Sequence, residues 1–227
     1  MTKQNYSELI VVLDRSGSMS SIRADMQGGF DSFIAEQKKT PGECRVSLYQ
    51  FDDVFETVYE GKTLAEVPPL SLVPRGWTAL YDAVAKAVDL TGARLASMPE
   101  HERPDRVAVL IITDGEENRS YQFNGKDVMK RVKLQRESYS WSFSFLGADE
   151  SSLKMAEDMG VGAANTVYWT ATSAGAGAMF DSMSKGFSSY RLVNDVSTDA
   201  FVSQTMYDTS LNNKVKDTIT TATDANQ

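Results

Sequence analysis

The stretch Glu8–Ser20 reads E-L-I-V-V-L-D-R-S-G-S-M-S, and it combines a strand with a cluster of polar side chains. Leu9 to Leu13 form an apolar run, which predicts a strand buried on both faces. The run ends in Asp14, and Ser16 and Ser18 follow at alternate positions with a glycine between them. Carboxylate and hydroxyl oxygens suit a hard divalent cation such as Mg²⁺, which takes oxygen ligands at roughly 2.1 Å and keeps several waters. The stretch therefore predicts part of a metal site at the carboxyl end of a central strand.

Two later segments extend this pattern. R-G-W-T-A-L-Y-D-A places Thr78 just before a predicted helix that begins at Leu80. Val107 to Ile112 form a second apolar strand, and T-D-G-E-E-N follows it with Asp114. Taken alone, Thr78 fits a helix N-cap, and this alternative stands beside its interpretation as a metal ligand.

In this order, the three segments resemble the metal-ion-dependent adhesion site (MIDAS) of von Willebrand factor type A domains. The resemblance covers roughly 8–191 and implies a bound Mg²⁺, with Mn²⁺ or Ca²⁺ as alternatives. It also implies that a protein partner completes the coordination with an Asp or Glu side chain. The serines are expected to bind the cation directly and the aspartates through waters. The threonine is expected to switch between direct and water-mediated contact. The implied ligands are Asp14, Ser16, Ser18, Thr78 and Asp114.

Strands alternating with helices predict an α/β domain with a doubly wound, mostly parallel sheet, one antiparallel edge strand and helices on both faces. The resemblance implies six strands in the order 3-2-1-4-5-6, which makes the two apolar strands neighbours. Ligands bind outside the carboxyl ends of such strands, so all the implied ligands share one edge. The predicted strands are Leu9–Leu13, Arg45–Phe51, Val54–Tyr59, Val107–Ile112, Trp141–Leu146 and Thr166–Trp169.

Helical spacing of apolar residues predicts helices over 22–34, from residue 80 onward, around 128–132, over 151–159 and over 176–190. Gly28 and Gly29 interrupt the first helix, either for close packing of this helix on the sheet or as a hinge. Asp52 and Asp53 separate two strands and predict a hairpin turn, with a second metal site as the weaker alternative. We expect a type A domain over 1–192 and a polar tail over 193–227 that is weakly ordered or docks on a neighbour.

Composition narrows the possible partners and compartments. The 227 residues carry a formal net charge of −8, which argues against nucleic acid as a partner. No apolar run is long enough for a membrane span, and the amino terminus, M-T-K-Q-N-Y-S, has no signal-peptide pattern. A single cysteine, Cys44, agrees with a reducing compartment. We therefore expect a cytoplasmic protein without membrane or nucleic-acid partners.

Four residues beside the implied ligands are candidates for a partner-binding rim. Trp77 packs under its own loop or lies at the rim, where aromatic side chains are common contacts. The two glutamates after Asp114 are solvated turn charges or partner contacts. The local sequence around these residues resembles that of the compact intracellular type A domain proteins of bacteria and phages, although their usual G-G-T is G-W-T here. The rim candidates are Arg15, Trp77, Glu116 and Glu117.

The sequence favours recognition over catalysis. It has no Walker A loop, no G-x-G-x-x-G and no G-x-S-x-G, and Ser16 replaces the second aspartate that a D-x-D-x-[TV] phosphatase needs. The only histidine, His101, lies in a polar link. We therefore predict a Mg²⁺-dependent protein-binding module and no enzyme. The alternatives are a structural or virion-associated type A protein whose metal only stabilises it, and a Mg²⁺-dependent hydrolase.

Overall fold

The computed structural model describes residues 1–148 and 151–192, so the predicted tail over 193–227 lies outside the described residues. Strands and helices alternate along the chain, as the apolar patterns predict. The strands are β1 (Lys3–Asp14), β2 (Glu43–Phe51), β3 (Phe55–Thr63), β4 (Pro104–Thr113), β5 (Ser142–Gly147) and β6 (Thr166–Tyr168). The helices are α1 (Arg23–Gln37), α2 (Leu80–Ser97), α3 (Gly125–Tyr139), α4 (Ser151–Asp158) and α5 (Ser173–Leu192), with a 3-10 turn (Gly17–Ile22) before α1.

The six strands form one sheet in the order β3-β2-β1-β4-β5-β6. Only β2 and β3 pair antiparallel, through the turn at Asp52 and Asp53, and the other neighbours pair parallel. The predicted fold class, strand order and hairpin are thus confirmed. In the central pair, Leu13 of β1 lies opposite Ile112 of β4, so these two strands end side by side.

Helices cover both faces of the sheet. Successive side chains of a strand point to opposite faces, so each strand contributes to two cores. Leu9, Val11 and Leu13 belong to a core shared with α1 and α5. Ile10 and Val12 belong to a second core shared with α2, α3 and α4. All five side chains are almost completely buried. Burial on both faces explains why the run Leu9–Leu13 of β1 is apolar throughout and why polar side chains follow where this run ends at Asp14.

The helices that cover the first face approach each other closely. A Cβ atom built on Gly29 would lie 2.1 Å from the Phe180 ring, so α1 and α5 need a glycine at this contact. Gly29 therefore allows close packing on helix α5 rather than on the sheet that the sequence predicts, whereas a Cβ on Gly28 would meet nothing within 4 Å. None of the helices in the described part of the chain combines the length and the apolar character needed to cross a membrane.

The strand bounds differ most from the prediction at β1, which begins at Lys3 rather than at Leu9. The Asp105 carboxylate accepts hydrogen bonds from the backbone N–H groups of Asn5 (3.1 Å) and Tyr6 (3.2 Å). These bonds hold a polar segment beside β4, although its side chains carry no apolar pattern. A long-range side-chain contact of this kind leaves no periodic signal in the sequence.

Candidate metal centre

The two central strands bring their terminal polar residues into contact. β1 ends at Asp14 and β4 ends at Thr113, and the Thr113 hydroxyl donates to Asp14 Oδ2 at 2.6 Å. Sequence analysis did not single out Thr113, although its place before Asp114 at the end of an apolar strand is a usable signal. The parallel register therefore gives the first predicted ligand a hydrogen-bond donor from the neighbouring strand.

Asp14 is completely buried at the end of β1. Its Oδ1 accepts the backbone N–H of Ser16 at 2.6 Å, which folds the following loop back over the carboxylate. Burial raises the pKa of Asp14 to about 6, and the hydrogen bonds from Thr113 and Ser16 act in the opposite direction. No lysine or arginine within residues 1–148 and 151–192 makes an ion pair with this carboxylate. The charged form of Asp14 is therefore poorly compensated by the protein itself.

Ser16, Ser18 and Asp114 continue the cluster. The two serine hydroxyls lie 3.0 Å apart, and the Ser18 hydroxyl donates to Asp114 Oδ1 at 2.6 Å. Ser16 stands at the N-cap of the 3-10 turn that begins at Gly17, but its side chain makes no capping hydrogen bond. Both hydroxyls thus face the cluster and not the turn.

Thr78 joins the cluster from a third loop, and Gly115 shows how closely the parts converge. A Cβ on Gly115 would lie 3.4 Å from Thr78 Oγ1, 3.6 Å from Ser18 Oγ and 4.0 Å from Asp14 Oδ2. Side-chain oxygens from two segments, the turn after β1 and the loop before α2, therefore converge on Gly115 of a third loop, where no side chain intervenes. The structure brings together all five predicted ligands.

The N-cap alternative for Thr78 is not what the structure shows. The N-cap residue of α2 is Ala79, which makes no side-chain capping bond. Glu117 and Ser120 cap the helix from the loop after β4, by accepting the backbone N–H groups of Tyr81 (2.9 Å) and Asp82 (3.1 Å). The buried Thr78 hydroxyl is therefore available to the cluster.

The donor set consists of two carboxylates and three hydroxyls, which are hard oxygen ligands. Within the described residues, no group of three or more His, Cys, Asp or Glu side chains is arranged to hold a metal. Any cation at this edge would therefore depend on the serine and threonine hydroxyls. Two carboxylates would leave a divalent cation formally neutral, so the donor set fits such an ion.

Comparison with solved structures identifies the fold. The domain of the pilus tip protein Mfa5 from Porphyromonas gingivalis matches with a TM-score of 0.57 and 8% identity over 83% of this chain and 97% of that one. The ArnB paralog VWA2 from Sulfolobus acidocaldarius matches with a TM-score of 0.50 and 16% identity over 78% of this chain and 44% of that one. The chain has the von Willebrand factor type A fold. No protein-family model matches the sequence, and no curated protein matches it.

A third match shares this type A fold and carries a metal. Proximal thread matrix protein 1 from the mussel byssus, with a zinc-occupied MIDAS motif, matches with a TM-score of 0.52 and 17% identity over 81% of this chain. This chain spans 46% of that protein, and thus less than half of its length. A protein of the same fold therefore binds a divalent cation at its MIDAS motif.

The predicted rim residues of the type A domain divide into two groups. Trp77 and Glu116 are exposed beside the predicted ligands, Trp77 with 61% of its surface. Arg15 corrects the expectation of an exposed rim contact, because only 6% of its surface is exposed. Its Nε donates to Asp52 Oδ2 at 3.0 Å, and its Nη1 pairs with Glu56. Arg15 therefore neutralises buried charge beneath the rim.

Glu117 has a structural role that sequence analysis did not predict. Its carboxylate accepts the backbone N–H groups of Tyr81, Arg119 and Ser120, the last two at 2.8 and 2.7 Å. In return, Asp82 at the start of α2 accepts backbone N–H groups of residues 121–123. These reciprocal bonds lock the loop after β4 to α2 and thereby fix the spacing between Thr78 and Asp114.

Asp52 belongs to the hairpin turn and not to a second metal site. Its Oδ1 accepts the backbone N–H of Val54 at 2.7 Å, and its Oδ2 accepts Nε of Arg15 and of Arg75. Although burial acts to raise the pKa of Asp52, these hydrogen bonds and the two arginine charges lower it overall. The turn interpretation therefore accounts for this carboxylate.

Proposed function

We propose that this protein is a metal-dependent protein-binding module of the adhesion type. Asp14, Ser16, Ser18, Thr78 and Asp114 would hold a Mg²⁺ ion, and a protein partner would complete its coordination with an Asp or Glu carboxylate. The bound cation would supply Lewis-acid affinity for that carboxylate. The observation that carries the proposal is the convergence of Thr78, Ser18 and Asp14 oxygens around Gly115.

Charge and exposure support this proposal. Asp14 is buried with a raised pKa and no basic partner within the described residues, which is a costly arrangement unless a cation compensates it. Ser18 lies at the exposed side of the cluster, so an incoming group can reach it. The site is thus buried at Asp14 and open at Ser18, as a docking site for a carboxylate requires.

We propose recognition rather than turnover for the same edge. His101 lies in the short turn before β4, which is at the opposite edge of the sheet from Asp114. Cys44 is buried, and burial raises the pKa of its thiol, so it is a poor nucleophile. The one histidine and the one cysteine of the sequence are therefore away from the cluster, so its serine hydroxyls have neither a histidine base nor a thiol beside them.

The test is affinity capture from a lysate of the organism of origin, in Mg²⁺ and in EDTA, with mass spectrometry as readout. Asp114→Ala serves as a parallel bait, and Asp89→Ala, which removes an exposed carboxylate of α2 paired with Arg131, is the matched control. We expect a protein that the parent and the control retain only in Mg²⁺ and that Asp114→Ala does not retain. Identical capture by all baits in both buffers would favour a metal that only stabilises the domain, or an enzyme.

A further inference from the structure

A cleft of about 450 Å³ lies beside the metal-site residues. It is lined by Asp53 of the β2–β3 turn and by Asn118, Arg119, Ser120 and Tyr121 of the loop after β4. Both walls are bonded to the segment that carries Thr78. The Trp77 N–H donates to Asp53 Oδ1 at 3.1 Å, and the Arg119 N–H donates to the Thr78 carbonyl at 3.2 Å. A partner seated on the metal site would therefore extend over this cleft.

The two charged residues of the cleft are held differently. Asp53 is anchored by its hydrogen bond from Trp77, next to the buried Asp52. Arg119 faces Asp53 with Nε 3.9 Å from Oδ1, and its side chain is 64% exposed. An exposed ion pair at this distance contributes little free energy, so Arg119 can leave at low cost. Its position shows that a guanidinium can reach Asp53 within the cleft.

The remaining surface of the cleft also favours a cation. The Tyr121 residue is 80% exposed, and its ring offers a face over which a lysine or arginine head group can lie. Glu116, on the same loop but outside the lining of the cleft, is exposed and makes no ion pair with any residue that the structure describes. The chain as a whole carries a formal net charge of −8, which attracts basic segments. Charge complementarity thus points to a basic side chain.

We propose that the cleft binds a lysine or arginine side chain of the same partner whose carboxylate docks at the metal site. The recognised segment is therefore an Asp or Glu accompanied at a fixed spacing by a basic residue. The incoming basic side chain displaces Arg119 from Asp53 and lies against Tyr121. This inference rests on the proposed function, since the carboxylate fixes the register of the segment.

The test is selection from a displayed library of random heptapeptides on the immobilised full chain in Mg²⁺, with elution by EDTA and sequencing. We expect the eluted peptides to be enriched in Asp or Glu together with Lys or Arg at one spacing. Asp53→Asn should remove the basic residue from the consensus and keep the acidic one. The asparagine oxygen can still accept the Trp77 N–H, so the variant changes charge without releasing the loop.

Two further variants sharpen the selection. Glu137→Gln removes one negative charge from the exposed end of α3 and should leave the full consensus unchanged. Arg119→Gln removes the internal competitor and should strengthen binding of a selected basic peptide by about twofold, the size of a weak exposed ion pair. A purely structural role of Arg119 would not produce this gain.

The outcomes separate the two proposals. A consensus with an acidic but no basic residue overturns the cleft proposal alone, as does a basic residue that persists in Asp53→Asn. Selected peptides without an acidic residue overturn the proposed function and the cleft proposal together. Acidic and basic enrichment in the parent, with loss of only the basic residue in Asp53→Asn, supports both.

Discussion

Strand β1 carries two buried carboxylates, and the protein treats them differently. Glu8 is completely buried, and its Oε1 lies 2.5 Å from Nη2 of Arg94 on α2 and 2.9 Å from the Ser47 hydroxyl. Asp14, at the end of the same strand, receives hydrogen bonds from Thr113 and Ser16 but no arginine or lysine within the described residues. Among the described residues, Glu8 therefore has a cationic partner and Asp14 has none.

This difference separates a structural carboxylate from a candidate binding carboxylate. A carboxylate in a buried ion pair is already neutralised by a side chain of the protein. A buried carboxylate with only hydrogen-bond donors can still bind a cation from solution. Burial raises the pKa of Asp14 to about 6, because no cationic partner among the described residues offsets the loss of solvent. The comparison gives four predictions.

The largest effect is expected at Glu8. Arg94→Met should lower the free energy of unfolding by roughly 3–5 kcal/mol, because it leaves a completely buried carboxylate without its charge partner. Urea unfolding, with and without Mg²⁺, should give the same loss in both conditions. Lys133→Met, which breaks an exposed pair with Glu137, should cost less than about 1 kcal/mol. A similar small loss for Arg94→Met would remove the contrast between the two carboxylates.

The pH dependence of the metal-free protein should report Asp14. Its pKa of about 6 in the folded state exceeds the ordinary value of 3.8, so the folded state binds this proton more tightly than the unfolded state. The resulting stabilisation is fully present below pH 3.8 and is lost as the pH rises through about 6. The full shift corresponds to roughly 3 kcal/mol.

Urea unfolding in EDTA across this range measures the effect, with Asp14→Asn as the variant that cannot titrate. The difference in stability between parent and variant should change between pH 4 and pH 6.5, and added Mg²⁺ should stabilise only the parent at the upper end. Parallel pH profiles for the two proteins would contradict the assignment of the raised pKa to Asp14.

Gly115→Ala should weaken the metal site while leaving the fold intact. The added Cβ meets Thr78, Ser18 and Asp14 only at ordinary contact distances of 3.4–4.0 Å, so the free energy of unfolding should change by less than about 1 kcal/mol. Because the methyl group occupies the point on which these oxygens converge, Mg²⁺ affinity should fall about tenfold. Gly177→Ala, where a Cβ meets nothing within 4 Å, is the control for calorimetric titration.

The smallest effect on metal binding is expected from Thr78→Ala. If Thr78 contacts the cation directly only in one state, the variant should lose about tenfold in binding of a selected heptapeptide and only about threefold in Mg²⁺ affinity. Thr78→Ser, which keeps the hydroxyl, should retain both. Equal losses in the two measurements would argue against a switching role.

The sequence predicts which edge of the sheet carries the candidate site better than it predicts the contacts of the charged residues around that site. The apolar runs before Asp14 and Asp114 place both residues at strand ends, because only continuous burial on both faces requires such runs. The strand order came from the resemblance to type A domains, and the structure confirms it. The apolar runs are local features of the sequence, and the strand order is a property of the whole fold, so both could be predicted.

The roles of Arg15 and Glu117 could not be predicted in the same way. Arg15 is buried because the hairpin turn brings Asp52 to it, and Glu117 caps α2 because the loop after β4 folds onto that helix. Both contacts join residues that are far apart in the chain, and neither produces a periodic pattern. Charged residues next to predicted ligands therefore looked like rim contacts, although one is buried and the other is engaged by backbone N–H groups.

The most direct test of the central claim is isothermal titration of Mg²⁺ into the metal-free protein and into Asp14→Asn at pH 7.5. The account predicts one binding site in the parent and no measurable binding in the variant, which should be folded as judged by circular dichroism. Glu8 and Arg94 stay in place in both proteins, so the measurement isolates the carboxylate that has no cationic partner in residues 1–148 and 151–192. Equal Mg²⁺ binding by the two proteins would contradict the assignment of the site.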